Sequence, residues 1–222
     1  MRRDVRRLAG GLLPGGDAMS DRPIIFSSSM VRALLAGTKT QTRRFQFDER
    51  GRLTTWGKLA EEWARGERGQ RVWARETWGM NRGGYDVPAL IPKQRPARDK
   101  LRDDQLVYFA TETDSEILAE MPRRPSIHMP RWASRLTLAV TDVRVERLNE
   151  ISRTDAIAEG CDSPLTGTEA PTPGPGVWLA DERTSFAILW NGLHGPGAWG
   201  ANPWVVAVSF EIRLGNIDEV TP

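Results

Sequence analysis

The chain has 222 residues, 39% of them hydrophobic and 27% charged, which is enough for one well-buried core or one domain with sizeable insertions. No apolar run approaches the ~20 residues of a helical membrane span. The single cysteine, Cys161, excludes an internal disulfide framework and fits a reducing, cytoplasmic setting. The two histidines, His128 and His194, stand far apart with no Cys or carboxylate at ligand spacing, so neither a metal nor another cofactor is expected.

A pI near 9.0 suggests a nucleic-acid partner, but the excess charge sits at one end. Residues 1–18 take four of the 31 basic and two of the 29 acidic residues, leaving 27 of each in the remainder. A long polyanion usually requires a basic face. The balance therefore favours a small ligand over a polymer, with RNA contact left to local arginine clusters.

Residues 1–20 combine arginines with Gly10-Gly11 and Pro14-Gly15-Gly16 and read as a disordered leader, with Met19 just before the domain start. A single domain is expected over 21–215, followed by a tail at 216–222. Pro23–Phe26 reads as a buried strand. Met30, Val31, Leu34 and Leu35 mark one face of a short helix, capped by Ser28 or Ser29 and ended by Gly37. The chain leaves that helix extended, with Thr40, Thr42 and Arg44 on one face and Lys39, Gln41 and Arg43 on the other. Lys39 and Thr42 then meet only if the turn persists through Lys39. A helix is expected around Lys58–Ala64, and a strand over Gln70–Glu76.

Residues 79–104, rich in Gly, Pro and charge, read as a long insertion loop, and Leu106–Ala110 as a strand. Arg135–Arg147 carries the longest strand signal, with a change of phase near Asp142 that predicts a bend or bulge. Ser152–Asp155 opens a short helix, Ala156–Glu159, ended by Gly160. Residues 162–176 form a proline-rich loop, Thr184–Leu193 an amphipathic helix, and Asn202–Phe210 a closing buried strand. Short strands with helices between them and no βαβ repeat predict an α+β fold around a small mixed β-barrel with flanking helices and long insertion loops.

The stretch Gly37-Thr38-Lys39-Thr40-Gln41-Thr42-Arg43-Arg44 concentrates an amine, hydroxyls and guanidinium groups directly after a helix. In the pattern Gly37-x-Lys39-x-x-Thr42-x-Arg44 it resembles the ASCH superfamily, whose fold is a PUA-like β-barrel with helices at its mouth. The phrases Pro125–Arg135 and Asn202–Val205 are similar to those of larger, phage-associated members. The resemblance implies one of two functions. Some members are proposed RNA-binding modules; others are amidohydrolases that remove the acyl group from N4-acetylcytidine and related N4-acylated cytosine nucleosides. In the enzymes a lysine and a threonine of the motif work with a later glutamate, which implies Lys39, Thr42 and Glu159 here. A binder of modified nucleotides without hydrolysis is a third reading.

Hydrolysis of an exocyclic amide needs a nucleophile, an oxyanion stabiliser and an acid for the departing amine. Thr42 is the expected nucleophile, although a threonine hydroxyl needs a base to attack. Neutral Lys39 would be that base; protonated, it would stabilise the oxyanion. Glu159 would protonate N4 or activate water. Arg44, Glu76, His128 and Trp132 are the expected substrate-binding residues, Trp132 by stacking on a base. Against these stand ordinary roles: solvated charges at a turn for Lys39 and Arg44, a strand threonine for Thr42, a surface carboxylate for Glu159, an ion pair for Glu76, and a structural histidine for His128.

Overall fold

A computed structural model describes residues 21–80, 106–113, 121–161 and 181–220. The leader at 1–20, most of the insertion at 79–104 and the loop at 162–176 lie outside them. Five strands form one curled, half-barrel sheet: β1 (Arg22–Ile25), β2 (Gln41–Phe45), β3 (Arg71–Arg75), β6 (Leu136–Arg147) and β7 (Trp204–Leu214), in the spatial order β1-β3-β6-β7-β2. The sheet is mixed, β1 and β3 being parallel and the other pairs antiparallel. A separate antiparallel ribbon pairs β4 (Trp78–Met80) with β5 (Leu106–Tyr108). Among the described residues four α-helices complete the α+β fold: α1 (Ser28–Leu35), α2 (Thr55–Ala64), α3 (Arg153–Ala158) and α4 (Glu182–His194). Among the described residues no helix is long and apolar enough to cross a membrane.

The continuous apolar run in β7 is explained by burial on both faces. Val206, Val208 and Phe210 point into the half-barrel, where Ile24, Val72, Leu136 and Leu138 meet Val31 and Leu34 of α1 and Leu59 of α2. Val205 points outward into a second core with Leu148, Ile151, Phe186 and Trp190. The expected change of phase in the long strand is a bulge: the β6–β7 register shifts between Val140 and Asp142.

The exit from α1 sets the site. Ser27, one residue earlier than expected, caps the helix, its hydroxyl accepting from the Met30 N–H at 3.4 Å. At the other end Gly37 adopts φ +73°, its N–H donates to the Leu34 carbonyl, and the Thr38 N–H donates to the Ala33 carbonyl, both at 3.0 Å. That pair of bonds is a Schellman turn, and its left-handed position favours glycine. The chain then enters β2, an edge strand. Arg44 spans from β2 to the opposite edge, donating to the Ile25 carbonyl at 2.9 Å.

The expected tail begins too early. Ile217 is 1% exposed and the Asn216 side chain donates to the Arg131 and Ser134 carbonyls, so residues 216–220 pack on the domain. Ile217 is held in the core by the buried Asn216 beside it, whose bonds fix the backbone there; a single isoleucine among polar neighbours is too weak a pattern to announce this.

Leu138, 1% exposed at the centre of the half-barrel, tests this packing. Leu138→Ala is expected to lower stability by about 2–5 kcal/mol in urea denaturation; a loss below about 1 kcal/mol would place Leu138 outside the main core.

Candidate active site

Lys39 and Glu159 are 120 residues apart in sequence and adjacent in space. The backbone brings them together first: the Thr40 N–H donates to the Ala158 carbonyl at 2.8 Å, and Lys39 and Glu159 form an antiparallel bridge. Glu159 stands at the C-cap of α3, whose N-cap Ser152 accepts from the Asp155 N–H at 3.0 Å. Gly160 follows with φ +82°, and a Cβ there would lie 3.2 Å from the Cβ of Ala33 and 3.3 Å from that of Lys39. Both conformation and space favour glycine at this crossing.

Lys39 is fully buried. Its Nζ donates to Glu159 Oε2 at 2.8 Å, to the Glu159 carbonyl at 2.8 Å and to the Gln41 carbonyl at 2.9 Å. An ammonium has three N–H donors, and all three are taken. The arrangement leaves no donor of Lys39 free for an oxyanion. Lys39 therefore holds Glu159 in place.

The other carboxylate oxygen meets Arg43, which the sequence did not single out. Its guanidinium donates to Glu159 Oε1 at 3.3 Å and to Gln41 Oε1 at 2.6 Å. It also contacts Glu146 Oε1 at 2.6 and 2.9 Å and Asp155 Oδ2 at 3.3 Å. Two buried cations thus face three carboxylates. Burial pushes the Asp155 carboxyl up, but Ser152, Arg144 and Arg43 outweigh it and hold the group below its ordinary range. Strand alternation explains why Arg43 serves this role: it pairs with Ala207 and faces outward, whereas Thr42 and Arg44 pair with Val208 and Val206 and face inward.

Thr42, Arg44 and Glu159 line one narrow crevice. Its lips are Met30 of α1 and Leu189, Leu193 and His194 of α4, and the free space between them is about 10 Å³, room for a single water. Thr42 is 3% exposed, and among the described residues no partner hydrogen-bonds its hydroxyl. Lys39 is not on the crevice wall; it lies behind Glu159. Burial lowers the Arg44 pKa, and the charge of Glu159 partly restores it. His194 sits between Phe45 and Trp190, with ring centroids 4.7 and 4.3 Å away. Burial, and then the charge of Arg44, pull its pKa down. A histidine at the end of an amphipathic helix reads as a complement to the helix dipole, so sequence gave no sign of this placement.

Glu76, His128 and Trp132 are not brought to this crevice. Glu76 is buried and held by Arg135 through two bonds of 2.9 and 3.0 Å. Burial pushes its carboxyl up, and Arg135 opposes the shift. The Trp132 ring meets Trp78 edge-on at 6.0 Å in a small core under the β4–β5 ribbon. His128 ends an exposed turn of 3-10 helix beside Met129. These three belong to the opposite flank of β3, where Glu76 forms its ion pair and Trp132 packs in the small core, while the His128 side chain is exposed. Comparison with protein-family models, with curated proteins and with solved structures gives no match.

Three outcomes test this geometry. Lys39→Met leaves Glu159 buried without its closest cation and is expected to cost about 3–5 kcal/mol in urea denaturation, whereas Lys39→Met/Glu159→Leu recovers most of that loss. A small loss in the single variant would show that the pair is not structurally coupled. His194, whose folded pKa lies below its unfolded value, favours the neutral form. It should make stability fall as pH drops below the unfolded value of about 6.5 until the folded group itself protonates. Arg44→Met should move the His194 titration upward in NMR; an unmoved midpoint would show that Arg44 does not act on it.

Proposed function

We propose that the chain is an amidohydrolase acting on a linear, exocyclic amide, with N4-acylated cytosine nucleosides as the substrate class. The observation that carries the reading is the buried Lys39–Glu159 pair, 2.8 Å apart, whose carboxylate reaches the same crevice as the Thr42 hydroxyl, unengaged among the described residues. The motif Gly37-x-Lys39-x-x-Thr42-x-Arg44 lies at the rim of a curled half-barrel with a helix on either side, which supports the resemblance to ASCH proteins and their PUA-like barrel. The charge balance of residues 19–222 supports a small substrate.

In this reading Thr42 Oγ1 attacks the acyl carbon while Glu159 takes the hydroxyl proton. Arg44 faces the resulting oxyanion with the guanidinium N–H groups not bound to Ile25. Collapse breaks the C–N4 bond, and Glu159 returns the proton to the departing amine, releasing the cytosine nucleoside and leaving an acyl ester on Thr42. Glu159 then deprotonates a water that attacks the ester, releasing the carboxylate and restoring Thr42. Lys39 is a positioning residue, since its three donors are committed to Glu159 and two carbonyls. Substrate entry parts the lips formed by Met30, Leu189, Leu193 and His194, because the closed crevice admits only a water.

The test is acetate release from N4-acetylcytidine. Thr42→Ala and Glu159→Gln are each expected to lower kcat/KM at least 100-fold, about 2.7 kcal/mol of transition-state stabilisation. Unchanged rates in both variants, or no release by the native chain across a panel of N4-acyl cytosines and cytidines, would overturn the reading.

A further inference from the structure

A second concavity adjoins the crevice. It is a groove of about 940 Å³ at the far end of β2, and His194 lines both spaces. That volume lies at the upper end of the range for small-molecule sites, whereas the crevice holds one water. Two of the larger exposed apolar side chains of the domain face it, Phe47 at 40% and Trp204 at 43% exposure.

The walls are fixed by hydrogen bonds. Phe47 bridges to Leu53 in a tight hairpin in which the Asp48 N–H donates to the Arg52 carbonyl at 2.8 Å. The Thr54 hydroxyl ties that hairpin back to the Phe45 carbonyl at 2.6 Å. Across the groove, the Arg147 guanidinium stacks on Trp204 with its carbon 4.4 Å from the ring centroid and donates to the Asn202 carbonyl at 3.1 Å. The aromatic side chains are thus held in place while remaining open to solvent. Leaving them exposed costs hydrophobic burial that a flat, apolar-faced ligand would restore.

Charge narrows the occupant. The hairpin rim carries Asp48 and Glu49 against Arg50 and Arg52, and Asp48 and Arg52 already pair at 2.7 Å. These four rim charges balance, and the one further cation, Arg147, is engaged by the Trp204 ring and the Asn202 carbonyl, which suits an uncharged ligand rather than a phosphate. Glu49 and Arg50 remain to bond hydroxyl groups.

We infer that this groove is a nucleoside-binding site, in which the base stacks against Trp204 and Phe47 and His194 separates it from the catalytic crevice. The inference rests on the proposed hydrolysis for its place in the reaction: the base and sugar lie in the groove, and the acyl group points past His194 toward Thr42. Base–aromatic stacking of about 1–3 kcal/mol per base makes Trp204 the main contributor.

Calorimetric titration of the full chain with cytidine, the reaction product, tests it without turnover. Saturable binding is expected, weakened about tenfold in Trp204→Ala and in Phe47→Ser, with the melting temperature of each variant confirming its fold. Cytidine 5′-monophosphate should bind within about twofold of cytidine. Absence of cytidine binding, or binding unchanged in both variants, overturns the site; tenfold tighter binding of the monophosphate overturns the neutral-ligand assignment. The outcomes separate from those of the hydrolysis. Trp204-dependent cytidine binding without acetate release would leave the site standing and remove the proposed activity. Acetate release with an unchanged KM in both variants would do the reverse.

Discussion

The buried contact between Lys39 and Glu159 is the constraint around which the rest of the site is arranged. Removing two charges from water is expensive, and a bare pair in the interior often fails to offset that cost. Here each partner has further bonds. Two carbonyls complete the ammonium's shell, and Arg43 holds the second carboxylate oxygen. The contact also joins the exit of α1 to the end of α3, so the two helices that frame the site cannot move apart without breaking it. The glycines on either side serve the same crossing: Gly37 turns the chain into it, and Gly160 gives Lys39 room to approach.

The edge strand β2 divides the chemistry between its two faces. Outward, Gln41 and Arg43 join a carboxylate network that α3 and β6 supply. Inward, Thr42 and Arg44 face the mouth of the half-barrel, where Arg44 reaches the Ile25 carbonyl and both Lys39 and Arg44 lie within 6 Å of the Phe26 ring centroid. Glu159 is the group common to both sides. An edge strand exposes unpaired backbone; the end of α3 pairs with the start of this one, and α4 packs Phe186 and Trp190 beside its Phe45 side chain. The same helix delivers Leu189, Leu193 and His194 to the crevice.

Local signals were readable where a single physical rule decides them. Alternation placed the strands, the glycine after an apolar helical turn marked the Schellman exit, and a change of phase located the bulge near Asp142. Lys39, Thr42 and Glu159 were picked out through the family resemblance, and the fold brings Lys39 against Glu159 and Thr42 into the crevice that Glu159 lines. The alternation rule also put Thr42 and Arg44 on the face opposite Arg43. What alternation cannot state is which elements cover each face. The partners of Arg43 come from β6, α3 and the C-cap of α3, and no local pattern announces that convergence. The same limit explains Glu76, whose ion pair with Arg135 depends on β3 and a segment 59 residues later. It also explains His194, whose neighbours Phe45 and Trp190 meet only after α4 docks on β2. The half-barrel was visible as a count of strands; its second core was not.

The central claim is that Lys39 acts only through Glu159. A double-mutant cycle on kcat/KM for N4-acetylcytidine, using Lys39→Met, Glu159→Gln and the two combined, measures it most directly. The account predicts that the combined variant is no slower than Glu159→Gln alone, because a positioning residue has nothing left to position. Losses that multiply would show Lys39 contributing independently to the transition state and would contradict it.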